Sequence, residues 1–118
     1  MGKFKNDKSD ARTYYENWSK QKNFSPTLKQ EIHITRKGWD HLISGSKSRK
    51  RNVRDKHRRL NLLKQARYVI LNAKSFKQEV RGEGTFYILE LKPPGQKYKV
   101  KVIIKKDKLG KYFFYSVM

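Results

Sequence analysis

The chain has 118 residues and carries 30 Lys+Arg against 10 Asp+Glu, a formal net charge of +20. It has no cysteine and three histidines, His33, His41 and His57, which excludes disulfide frameworks and cysteine-based zinc sites. No apolar run approaches the roughly 18 residues a membrane span needs, and no secretory pattern follows the start, so the expected setting is cytoplasmic and away from membranes. Self-repulsion on this scale adds nothing to the stability of a small fold, so the surplus points to an anionic partner. Seven Tyr, six Phe and two Trp are interleaved with it. Those side chains stack on bases once phosphates draw a strand close, and nucleic acid is the expected partner.

In chain order, residues 1–10 (MGKFKNDKSD) read as a disordered basic N-terminus, and 11–118 as one α+β domain with a modest core. ARTYYENWSKQK, residues 11–22, reads as a short helix capped by Ser9 or Asp10, with Tyr14, Tyr15 and Trp18 at helical spacing. Ser25-Pro26 breaks it. Ile32 and Ile34 alternate with Glu31, His33 and Thr35, a short strand signal. Thr35 then caps a helix through Gly38-Trp39-Asp40-His41-Leu42-Ile43, in which Trp39, Leu42 and Ile43 share a face.

Ser44 to Arg59 is the most basic stretch of the chain. Its first half reads as a loop. Its second half starts a long helix running on through LNLLKQARYVILNAKSF, with Leu60, Leu62, Leu63, Ala66, Val69, Ile70 and Ala73 forming a wide apolar face. After Phe76 the period changes to two. TFYILEL (85–91), YKVKVIIK (98–105) and KYFFYSV (111–117) read as strands, with Val80 in a further one before them. Pro93-Pro94-Gly95 and Asp107-Lys108-Leu109-Gly110 supply the turns. The expected architecture is N-terminal helices packed on a C-terminal antiparallel meander, one face of which stays open.

Two basic surfaces are candidates for phosphate contact. Lys47, Arg49, Lys50, Arg51, Arg54, Lys56, His57, Arg58 and Arg59 form a run with one acid, Asp55, and the run is Arg-rich where the rest is Lys-rich. Guanidinium groups grip phosphate with two donors at once. A solvated helix face would also carry such a run. On the sheet, alternation places Lys99, Lys101 and Lys105 opposite Val100, Val102 and Ile104. In the last strand it places Phe113, Tyr115 and Val117 opposite Tyr112, Phe114 and Ser116. A cationic sheet face of this kind could stabilise charge on a phosphorane, and it is equally the pattern of an ordinary solvent-facing sheet.

Of the histidines, His41 is the candidate general acid or base, since its position opposes the packing face of its turn. Carboxylate clusters of the kind a two-metal nuclease requires are absent, as is any phosphate-binding glycine loop; Arg81-Gly82-Glu83-Gly84 reads as a turn. Cleavage, if present, is expected without metal or cofactor. That points to RNA, whose 2′-hydroxyl attacks the neighbouring phosphate.

Ile34-Thr35, Gly38-Trp39, His41-Leu42-Ile43, the long helix over 60–73, Arg81, Tyr87-Ile88-Leu89-Glu90, 99–104 and Phe114-Tyr115-Ser116-Val117 occur in an order that resembles the barnase–EndoU–colicin–RelE (BECR) superfamily of small metal-independent ribonucleases, in particular its phage- and mobile-element-borne members. The resemblance covers residues 31–118. It implies a nuclease-like core with His41 as acid or base, Arg81 and Lys101 on the phosphate, and Ser116 or Tyr115 positioning it. The family's terminal hydroxyl is more often Thr, a departure at Ser116. The expected function is thus RNA binding, of tRNA or another RNA, with cleavage by 2′-O transphosphorylation. The alternatives are a non-catalytic nucleic-acid-binding module of a phage or plasmid, and a toxin-like domain held by an acidic inhibitor or antitoxin protein.

Overall fold

The computed structural model describes the backbone of residues 7–44, 53–82 and 84–118, and side chains within 11–40, 62–82 and 84–118. Helix α1 (Asp7–Ser19) is followed by strands β1 (Phe24–Ser25) and β2 (Gln30–His33), then α2 (Arg36–Ser44) and α3 (Val53–Asn72). Strands β3 (Phe76–Arg81), β4 (Gly84–Leu91), β5 (Val100–Lys106) and β6 (Tyr112–Val117) complete the chain. The fold is α+β, as expected.

The sheet differs from the expected meander. Its order is β1-β2-β6-β5-β4-β3, six strands in one mixed sheet. The C-terminal strands do form an antiparallel meander from β3 to β6. The early β1/β2 hairpin then extends it, because β2 pairs in parallel with β6 through Ile32–Tyr112 and His33–Phe113. A parallel partner requires a long crossover, and the two helices between β2 and β3 supply it. Asn23 holds the hairpin to α1: its buried amide accepts from the Trp18 indole N–H, and its carbonyl accepts from the Ile32 N–H at 2.9 Å. A buried amide satisfied in this way fixes one geometry.

Boundaries moved for local reasons. Helix α1 begins at Asp7, inside the stretch read as disordered, where Asp7-Lys8-Ser9-Asp10 contains no helix breaker. Residues 1–6 lie outside the described residues. Helix α3 ends at Asn72, whose side-chain amide donates to the Tyr68 carbonyl at 2.9 Å, so Phe76 already belongs to β3. The Thr35 carbonyl accepts from Gly38 N–H at 3.1 Å at the start of α2, as a cap position should. Asp107 closes the last turn: its Oδ1 accepts from the Leu109 and Lys111 N–H groups at 2.9 and 2.8 Å. Gly110 there has φ +86°, a conformation that costs glycine least.

One face of the sheet, the inner face, carries the core. Val100, Val102, Ile104, Tyr87, Leu89, Phe114 and Val117 cluster with Leu63, Ala66, Val69 and Ile70 of α3 and with Ala11, Tyr15 and Trp18 of α1. Trp39 brings α2 into the same cluster. Gly38 lets α2 approach: a Cβ there would stand 2.6 Å from the Phe114 carbonyl oxygen and from the Tyr15 hydroxyl. Phe114 meets Trp18 with ring centroids 5.0 Å apart and Tyr15 at 6.1 Å.

A bulge corrects the expected alternation of the last strand. Ile103 pairs with Ser116 while Ile104 pairs with Phe114, so Tyr115 is the extra residue. Past that point the phase reverses: Val117 joins the core and Ser116 falls opposite Ile103 on the other side of the sheet.

Candidate nucleic-acid interface

The outer face of the sheet is the one whose side chains do not enter the helix-packed core. Register and alternation assign it residue by residue. A single cross-strand row runs His33 (β2), Phe113 (β6), Lys105 (β5), Phe86 (β4) and Glu79 (β3), each paired with the next. At about 4.8 Å between neighbouring strands, the row spans roughly 19 Å. Charged or polar groups alternate with rings along it.

Phe86 is the pedestal of this surface. It is only 2% exposed, yet it lies outside the helix-packed core, because polar side chains cover it. The Arg81 guanidinium sits 4.7 Å above its ring centroid and the Lys105 ammonium 5.7 Å away. Tyr115 meets the same ring edge-on, centroids 5.1 Å apart, and Lys105 also lies 6.0 Å from the Tyr115 ring. Cations held over aromatic faces keep their charge directed at solvent while losing rotational freedom. Two head groups are thereby pre-positioned beside a partly exposed tyrosine.

Carboxylates modulate the rest. Arg81 also donates to Glu79 at 2.7 Å, with half of each side chain exposed. Glu90 lies between Lys99 and Lys101, at 3.8 and 3.7 Å, which partly neutralises that end of the face. Exposed pairs of this kind contribute little to stability and exchange readily for another anion. Lys77, paired with Ile88, adds a fifth cation against the two acids. At the other end of the row His33 is exposed, its imidazole 5.8 Å from the Phe113 ring.

The structure brings Arg81, Lys101, Lys99, Lys105 and Tyr115 onto one face. The helix that carries His41 packs on the inner face through Gly38 and Trp39. The His41 side chain itself is outside the described residues. Ser116 is 1% exposed, so of the two hydroxyl candidates only Tyr115 meets solvent. Lys47, Arg49, Lys50 and Arg51 lie outside the described residues; Arg54, Lys56, His57, Arg58 and Arg59 fall on the first turns of α3, with side chains that are not described.

Sequence reasoning put Phe113 on a face with Tyr115 and His33 in a short strand, but missed three other residues that organise the surface: Phe86, Glu79 and Glu90. The alternation Phe86, Ile88, Glu90 against Tyr87, Leu89, Leu91 was present as a signal. Only the register between strands joins Phe86 to Arg81 and Lys105. Among the described residues no group of three or more His, Asp or Glu is placed to hold a metal ion, and no helix is long and apolar enough to cross a membrane.

One protein-family model, described as large polyvalent protein-associated domain 3, matches residues 2–115. No curated protein and no solved structure matches the chain.

Proposed function

The chain belongs to the large polyvalent protein-associated domain 3 family, a domain type associated with phage and other mobile elements, and we propose that it acts as an RNA-binding module. The observation that carries this reading is the Phe86 pedestal, with Arg81 and Lys105 fixed above it and Tyr115 beside it. Phosphates of a single strand meet the two cations. Bases stack on the partly exposed Tyr115 and Phe113 rings, the mode by which open sheets read unpaired RNA. The net charge of +20 draws the polymer in at long range.

Cleavage is the finer reading that the BECR resemblance adds. It requires an acid or base beside the bound phosphate; α2, the helix that carries His41, packs on the inner face through Gly38 and Trp39, and on that ground we favour holding RNA over cutting it. His33 is the imidazole that shares the outer row.

A labelled single-stranded RNA, titrated in EDTA at several salt concentrations and then run on a denaturing gel, tests both. Expected is salt-dependent binding of intact RNA, weakened about tenfold or more in the double variant Arg81→Ala/Lys105→Ala. Unchanged affinity in that variant would remove the outer face from the proposal. Discrete products would establish the nuclease reading, with His33→Ala and His41→Ala deciding which imidazole serves it.

A further inference from the structure

Among the described residues strand β3 forms one edge of the sheet with no strand beyond it, and all six of its residues are exposed. Such an edge presents unpaired backbone N–H and C=O groups to any other strand. Lys77, Glu79 and Arg81 lie on its outer side, and Phe76, Gln78 and Val80 on its inner side. Phe76 is 40% and Val80 77% exposed, two of the six large hydrophobic residues left in solvent among the described residues. Charges on an edge strand ordinarily deter pairing. Here their order allows it.

We propose that this edge docks a second copy of the chain, β3 against β3 and antiparallel, with Gln78 on the two-fold axis. Facing residues of an antiparallel pair share a side of the sheet, so a symmetric register that keeps outer side with outer side is centred on a residue. Centred on Gln78, Lys77 faces Glu79 of the partner subunit and Phe76 faces Val80 of the partner subunit, and each pair occurs twice. Centred on Glu79, Lys77 would face an arginine and Glu79 its own copy. Centred on Lys77, lysine would face lysine. A register centred on Val80 would face Glu79 with an arginine and Val80 with its own copy, but it joins only residues 79–81 of each strand, whereas the Gln78 register joins residues 76–80 and matches opposite charges and apolar side chains over that longer span. The two outer faces then become one continuous basic surface across twelve strands. The inference rests on the strand edge alone and stands whether or not RNA binds there.

Two chains of +20 repel, and salt screens that repulsion over a Debye length of about 8 Å at physiological ionic strength. Sedimentation equilibrium at about 0.3 M salt and up to several hundred micromolar protein is therefore the test. Expected is a concentration-dependent dimer. Glu79→Lys or Lys77→Glu alone weakens it about tenfold or more, because each puts like charges opposite one another twice. The double variant Lys77→Glu/Glu79→Lys restores it with the signs exchanged. The natural chain has no cysteine, so Gln78→Cys supplies a single thiol that links to its own copy on mild oxidation. All three positions are exposed, and circular dichroism confirms that the variants fold. A monomer throughout the range, a dimer indifferent to Glu79→Lys, or a double variant no better than the singles would overturn the proposal.

Discussion

Phe114 and Phe86 are buried to nearly the same degree, 1% and 2% exposed, on opposite faces of one sheet, yet their neighbours differ in kind. Phe114 is enclosed by Trp18 and Tyr15 under three helices. Phe86 is enclosed by an arginine, a lysine and a tyrosine whose polar ends reach water. Burial by apolar neighbours stabilises the fold, whereas burial by snorkelling cations trades some of that stability for placed charge. Exposure values alone would have ranked the two residues as equivalent core.

Variants on the two faces should therefore fail in different assays. The largest effect is expected for Phe114→Ala, a loss of about 3–5 kcal/mol in chemical denaturation. If Phe86→Ala cost as much while RNA affinity held, the contrast between the faces would be lost. Next comes Gly38→Ala, destabilised by about 1–3 kcal/mol because its Cβ meets a backbone oxygen that cannot move aside. Smaller again is Lys105→Ala, expected to leave the denaturation midpoint near wild type, weaken RNA several-fold and lower the salt slope by about 0.7.

The smallest effect concerns pH. Burial pushes the Tyr15 phenol well above its ordinary value of 10.0, with the Asp40 carboxylate adding to the shift. The folded state thus resists ionisation that the unfolded chain undergoes near pH 10. Stability from this group is complete below pH 10 and declines as pH rises beyond it. Tyr15→Phe removes the titrating group and the hydroxyl's bond to the Thr35 carbonyl, so it lowers stability at neutral pH but flattens the alkaline decline. Denaturation midpoints measured from pH 8 to about 11 check both parts.

Much of the frame could be read from residue order, because its signals are local. The apolar period of 60–73 marked α3, and the Pro93-Pro94-Gly95 and Asp107–Gly110 turns delimited β5. Strand β1 was not legible, since two residues carry no period, and its existence depends on Asn23 and Glu31 bonding across the hairpin. The parallel β2–β6 pairing was equally hidden, as it joins segments about 80 residues apart. At the candidate site, alternation correctly placed Lys99, Lys101 and Lys105 together. It could not reveal that Ser116 changes sides, because nothing in Phe113-Phe114-Tyr115-Ser116 announces a surplus residue.

That surplus residue decides which way the tail of the chain faces. Were the same residues laid down in a regular strand, Val117 would turn outward and Ser116 would enter the hydrocarbon interior. Loss of the Tyr115 codon, by contrast, would straighten the strand and still return Val117 to the helix-packed side, so its harm should be confined to the ring lost beside Phe86. A homologue shorter by that one position can therefore carry the same polar–apolar order in its last residues without a kink.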